Sequence, residues 1–114
     1  MTSPGAQAER IAATYLQRKG LILIATNYRC RWGEIDLVLH DRDSIVFTEV
    51  RLRSSARFGG AADSVDARKR RRIIAAARHY LANKKDIPPC RFDVVLLERL
   101  EPPRIEWIRD AFSA

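Results

Sequence analysis

Two stretches rich in β-forming residues lie almost back to back in the middle of the chain, GEIDLVLH at 33–40 and SIVFTEVRLR at 44–53. Hydrophilic and turn-forming residues, Asp41 to Ser44, connect them, which predicts a β-hairpin. If these residues form a four-residue loop, His40 lies opposite Ile45, and the position numbers of every facing pair sum to 85. This register decides which side chains of the two strands can meet.

The register brings acidic residues of the two strands together. It places Asp36 opposite Glu49 and Glu34 opposite Arg51. Facing carboxylates with Cβ atoms about 4.5 to 5.5 Å apart repel each other unless a cation lies between them. Paired oxygen donors suit Mg²⁺ or Mn²⁺. A surface on which Arg51 and Arg53 neutralise the acids explains the same pattern, so the spacing alone leaves both interpretations open.

Strand alternation divides the hairpin between two faces. We expect one face to form the core and the other to carry the acidic residues, with Arg51 and Arg53, at one end. The predicted core face contains Ile35, Leu37, Leu39, Val46, Thr48, Val50 and Leu52. The predicted opposite face contains Val38, His40, Ile45 and Phe47 at its other end.

The remaining pattern predicts two helices and three more strands. A chain of 114 residues allows one core of ordinary size, so we expect a single domain over residues 1–114 with the order αβββαββ, in which helices flank a central mixed sheet. Before the hairpin we expect a helix that is capped by Ser3 and stopped by Gly20, and then a strand from Leu21 to about Tyr28. After the hairpin we expect a loop over 54–62 and a helix that is capped by Asp63 or Ser64 and ends before Pro88. Strands over 91–98 and 104–108 and a helical turn at 110–113 complete the predicted domain.

Positive charge indicates a polyanionic partner. Lys and Arg number 21 against 14 Asp and Glu, a net charge of +7. Five consecutive cations, residues 68–72, begin the second predicted helix, where the helix dipole disfavours them. Contact with a phosphate backbone explains this placement, and a solvated helix face is the alternative. The candidate nucleic-acid-binding residues are Arg53, Arg57, Arg68, Lys69 and Arg72.

The chain carries no signal for a membrane or for disulfide bonding. Its longest aliphatic run, Leu21 to Ala25, is too short to cross a bilayer, and its N-terminus lacks an apolar leader segment. Cys30 and Cys90 form no metal-binding or redox motif. We therefore expect a cytoplasmic protein with free thiols and no membrane partner.

The hairpin motifs carry a family resemblance. The segment GEIDLV at 33–38, followed by VFTEVR at 46–51, resembles the D…(D/E)-x-K signature of the PD-(D/E)XK nuclease superfamily. The whole chain is similar to the YraN-like family, described as Holliday-junction-resolvase-like. Other matching pieces are Gly5 with Glu9, residues 12–16, Gly20, Asn27, and RFDVV at 91–95.

The resemblance implies a restriction-endonuclease-like α/β domain with a metal-dependent nuclease site. The resemblance implies that Asp36 and Glu49 hold Mg²⁺ or Mn²⁺, that Glu9 approaches the metal, and that position 51 provides the catalytic base. Position 51 is arginine here, whereas the signature has lysine. A guanidinium stays protonated, so Arg51 can orient or stabilise a phosphate but cannot act as a base.

Three functions stay open at this point. The first is a nuclease that binds nucleic acid, DNA in particular and branched DNA among its substrates, and hydrolyses phosphodiester bonds. The second is a non-catalytic nucleic-acid-binding protein with a degenerate nuclease site. The third is a protein-interaction domain. A homodimer is expected only by analogy with junction resolvases.

Overall fold

The elements follow the predicted order αβββαββ. The computed structural model describes residues 3–53 and 65–114. The predicted loop over 54–62, Arg57, Asp63 and Ser64 lie outside the described residues. Within the described part the elements are α1 (Pro4–Arg18), β1 (Ile22–Cys30), β2 (Gly33–Asp41), β3 (Ser44–Leu52), α2 (Ala67–Leu81), β4 (Cys90–Leu100) and β5 (Pro103–Phe112).

The strands form one mixed sheet in the order β1-β2-β3-β4-β5. β3 and β4 are parallel, and the other neighbouring pairs are antiparallel. The parallel pair is the one whose connection contains α2, as expected because parallel neighbours need a crossover. Neither described helix is long and apolar enough to cross a membrane.

Both helices begin at side-chain caps. Ser3 accepts a hydrogen bond from the Ala6 N–H, and Pro4 occupies the first turn of α1, as predicted. α2 begins later than predicted, because Asp66 is its cap and accepts from the Lys69 N–H at 2.8 Å. The prediction of Asp63 or Ser64 as the cap is therefore wrong. Any of these residue types can cap a helix.

The hairpin has the predicted register. Five facing pairs, from Asp41–Ser44 to Leu37–Thr48, have positions that sum to 85. The connection is shorter than expected, because Asp41 and Ser44 pair with each other and only Arg42 and Asp43 remain in the loop. Arg42 has a φ of 57°, the left-handed conformation that a two-residue hairpin loop requires.

The assignment of faces was only partly right. Leu37, Leu39, Val46 and, partly buried, Val50 pack on the α1 side of the sheet, but Ile35 packs on the α2 side. Leu52 is 37% exposed. The face predicted to lie opposite the core is also covered, since α2 buries Val38, Ile45 and Phe47.

The alternation of β2 breaks between Leu37 and Ile35, which lie two positions apart and pack on opposite sides of the sheet. β1 and β2 pair at Thr26–Leu37 and Tyr28–Ile35, and Asn27 between them has a φ of 51°. Asn tolerates this left-handed conformation better than most residues. The simple alternation of side chains breaks next to Asp36.

The last strand is longer than predicted. β5 continues to Phe112, so the expected helical turn at 110–113 is absent from this described region. The rings of Phe112 and Phe92 stack with centroids 4.9 Å apart. This contact extends the core beneath α2.

A buried carboxylate joins the last two strands. Asp93 is 1% exposed. It accepts hydrogen bonds from the Trp107 side chain and the Asp110 N–H, each at 2.9 Å, and from Arg91 Nε at 3.0 Å. These bonds give Asp93 a structural role, because they satisfy a carboxylate that is buried in an apolar strand.

Candidate metal and nucleic-acid site

Asp36 lies where the two strands of the hairpin separate. The pairing of β2 with β3 ends at Leu37–Thr48. Beyond that point the Val50 N–H donates to Asp36 Oδ2 at 2.8 Å. The Asp36 side chain thus accepts the hydrogen bond of the Val50 backbone N–H beyond the point where the pairing of β2 with β3 ends. The bond holds the Asp36 carboxylate against the part of β3 that contains Glu49.

Glu49 is a buried carboxylate beside Asp36. The residue is 3% exposed, and its Oε1 atom has no hydrogen-bond partner among the described residues. Burial, a hydrogen bond with Asp36 and the Asp36 charge raise the pKa of Glu49 to about 8, against the opposing charges of Lys69 and Arg51. The predicted meeting of the two acids is therefore present, and one carboxylate oxygen is free to accept a ligand.

Two cations contact the other oxygen of Glu49. Lys69 Nζ lies 3.6 Å and Arg51 Nη1 lies 3.7 Å from Glu49 Oε2. Lys69 comes from α2 and also lies 3.9 Å from Glu34 Oε1. We expected Glu34 to contact Arg51, but Glu34 forms ion pairs with Lys69 and Arg29 instead. Arg29 faces Glu34 across the paired strands β1 and β2.

Glu9 of α1 lies near enough to Asp36 for the charges of the two carboxyl groups to interact. Burial and the charge of Asp36 raise the pKa of Glu9, whereas a hydrogen bond from Asn27 lowers it. Asn27 is the residue whose left-handed φ interrupts the alternation of β1. The Asn27 side chain thus lies against the Glu9 carboxyl.

These residues fit a hard divalent cation held by few protein ligands. Asp36 and Glu49 supply carboxylate oxygens, including the unpartnered Oε1, and Mg²⁺ commonly binds one or two carboxylates while keeping water or phosphate oxygens as its other ligands. Within residues 3–53 and 65–114, no group of three or more His, Cys, Asp or Glu side chains is arranged to hold a metal. Any cation here would thus depend on water and substrate for the rest of its shell.

A cationic cavity adjoins the acidic pair. It has a volume of about 230 Å³ and is lined by Arg51, Asp66, Arg68, Lys69 and Arg72. Three of the predicted nucleic-acid-binding residues therefore line one cavity. Arg53 follows the end of β3, where its N–H donates to Leu97 O at 2.7 Å.

Comparison with known proteins gives the family. The model of the uncharacterised protein family UPF0102 matches residues 8–97. The chain belongs to the UPF0102 family. A UPF0102 protein of Methylobacillus flagellatus is 53% identical over 114 residues, covering all of both chains. UPF0102 protein NE0719 of Nitrosomonas europaea is 55% identical over 109 residues, or 96% of this chain and 92% of the relative.

UPF0102 is the family whose motifs we identified from sequence as YraN-like. The name UPF0102 states no activity. Sequence reasoning missed one part of the site in this UPF0102 chain, because it listed Lys69 with Arg68 and Arg72 as nucleic-acid-binding residues only. The spacing of 68, 69 and 72 indicates a shared side of the helix, but it does not show that the ammonium reaches Glu49.

Proposed function

We propose that this UPF0102 chain is a divalent-metal-dependent nuclease of the PD-(D/E)XK type that binds DNA and hydrolyses its phosphodiester bonds. The observation that carries the proposal is the buried Glu49 carboxylate, which has one unpartnered oxygen beside Asp36. Buried polar atoms usually have a partner, and a cation bound beside Asp36 would supply one for this oxygen.

Asp36 and Glu49 would hold Mg²⁺ or Mn²⁺, which would polarise both an attacking water and the scissile phosphate. The water oxygen forms a bond to phosphorus while the bond to the leaving ester oxygen breaks. The cut strand then has a phosphate at one of its two new ends and a hydroxyl at the other. The proton lost by the water passes to solvent, and the leaving oxygen takes up a proton in return.

The neighbouring cations would bind the substrate backbone. Arg51, Arg68, Lys69 and Arg72 line the cavity beside Glu49, where they can contact phosphates next to the scissile bond. Arg51 stabilises charge rather than removing a proton. The free thiols of Cys30 and Cys90 support a reducing location such as the cytoplasm.

Arginine at position 51 favours a second candidate, a DNA-binding protein that has lost cleavage. The two functions differ in their response to Mn²⁺. We would incubate labelled linear duplex and four-way junction DNA with the protein and Mn²⁺, and compare Asp36→Asn and Glu49→Gln with the matched control Glu98→Gln. Glu98 is an exposed carboxylate whose partner is Arg104 at 3.2 Å.

The nuclease should cleave at least one of the two DNAs, and E98Q should cleave equally well. D36N and E49Q should lose at least about 100-fold in rate, because losing a direct ligand costs more than losing an outer partner. Salt-dependent binding with no cleavage by the unsubstituted protein would support the second candidate. Cleavage that survives both substitutions would remove this site as the catalytic centre. Binding with little salt dependence would instead favour a protein-interaction domain.

A further inference from the structure

Lys69 lies within the acidic site rather than on the outer surface of α2. Its ammonium is 3.6 Å from Glu49 Oε2 and 3.9 Å from Glu34 Oε1, and its side chain is 28% exposed. Both distances exceed the usual range for an N–H···O hydrogen bond. The ammonium is therefore attracted to two carboxylates, while its donors remain available for a further oxygen.

Two features of the fold place Lys69 there. Asp66 caps α2 through the Lys69 N–H at 2.8 Å, which fixes the first turn of the helix. Gly33 allows this helix to approach the start of β2, because a Cβ at position 33 would lie 2.3 Å from Arg72 O. The close approach brings α2 over Glu34 and Glu49, which belong to β2 and β3.

The cations around Glu49 differ in what they can do. Arg51 is more exposed than Lys69, at 46% against 28% of the side chain. Lys69 combines a compact charge with three rotatable donors, so one ammonium can contact a carboxylate and a phosphate oxygen together. Arg68 lines the same cavity and is exposed, and among the described residues it forms no ion pair with Glu34 or Glu49.

We propose that Lys69 is a catalytic residue that contacts a non-bridging oxygen of the scissile phosphate and stabilises the charge that grows there during hydrolysis. The assignment rests on the proposed nuclease function. Under this assignment Lys69 of α2 contacts the reacting phosphate, whereas position 51 of β3, which is lysine in the nuclease signature, is arginine. Arg68 and Arg72 then bind neighbouring phosphates of the backbone.

The test compares Lys69→Gln with Arg68→Gln, a matched loss of one charge from the same cavity. Two quantities are measured for each variant and for the unsubstituted protein. The first is the split between kcat and KM for DNA cleavage in Mn²⁺. The second is DNA affinity with and without Ca²⁺, as a readout that requires no cleavage. Thermal melting shows whether each variant remains folded.

K69Q should lower kcat by about 100-fold or more, the usual cost of losing a contact made in the transition state. R68Q should raise KM and reduce the salt slope of binding by about 1, with kcat little changed. Ca²⁺ should tighten DNA binding by about fivefold or more in the unsubstituted protein and in R68Q. K69Q should lose most of that gain.

The outcomes separate this assignment from the proposed function. If the unsubstituted protein cleaves DNA and K69Q matches R68Q in kcat and in its response to Ca²⁺, Lys69 is not catalytic and the nuclease proposal stands. If the unsubstituted protein cleaves neither DNA in Mn²⁺, the nuclease proposal fails and the role of Lys69 fails with it. A K69Q protein that has unfolded would be replaced by Lys69→Met, which keeps the length and apolar stem of the side chain.

Discussion

Replacing Gly33 by alanine should move α2 away from the start of β2 and separate Lys69 from Glu49. The added Cβ would lie 2.3 Å from Arg72 O and 2.9 Å from Arg72 C. Both atoms belong to the helix backbone, so no side-chain rotation can relieve the contact. The normal distance between a carbon and a carbonyl oxygen is about 3.3 Å or more, and the two elements must therefore part by roughly 1 Å.

The expected loss of stability follows from this clash. Inserting a methyl group into a closely packed contact costs about 1 to 3 kcal/mol. Unfolding entropy near the melting temperature is about 0.24 kcal/mol per kelvin for a chain of this length. The melting temperature of G33A should therefore fall by about 4 to 12 °C.

Circular dichroism melts of G33A and Gly5→Ala provide the comparison. Gly5 lies in α1, and a Cβ there would have no neighbour within 4 Å. G5A should be as stable as the unsubstituted protein or up to about 1 kcal/mol more stable, since alanine restricts the unfolded chain. If G33A melts within 1 °C of the unsubstituted protein, Gly33 does not set the position of α2, and this account of how Lys69 reaches the site is wrong.

Two further predictions concern buried carboxylates. Asp93→Asn should destabilise the fold by about 1 to 3 kcal/mol in denaturant titrations, because the amide has one acceptor oxygen for the donors of Arg91, Trp107 and Asp110, while Arg91 keeps its ion pair with Asp41. The exposed E98Q should cost less than about 1 kcal/mol; equal losses would contradict this. In EDTA, the free energy of unfolding should decrease between pH 4.5 and about 8 relative to E49Q. Within that range folded Glu49 keeps a proton that the unfolded chain has released, so the slope is on the order of 1 kcal/mol per pH unit at most; parallel curves for the two proteins would contradict it.

The sequence was sufficient to predict the hairpin and the meeting of Asp36 with Glu49. Turn-forming residues and strand alternation act over a few positions, and together they select one register. The side of the sheet occupied by Ile35 was not predictable from alternation, because Ile35 and Leu37 of β2 pack on opposite sides although they are two positions apart. A pattern of apolar residues contains no information about such a local break.

The position of Lys69 depends on contacts between distant parts of the chain. Helical periodicity groups residues 68, 69 and 72 on one side of α2, and only the docking of the helix distinguishes Lys69 from the two arginines. That docking is set by Asp66 at the cap and by the contact of Gly33 with the Arg72 backbone. Gly33 belongs to the segment that identified the family, so its sequence signal was visible, but its partner was not.

The proposed nuclease function requires that Asp36 and Glu49 form one cation-binding site. Anomalous diffraction from a crystal soaked in Mn²⁺ tests it most directly. We expect a peak within coordination distance of the Asp36 carboxylate and of Glu49 Oε1, and no such peak in E49Q crystals. Carboxylates that point away from each other, or a peak that is absent here or persists in E49Q, would contradict the claim.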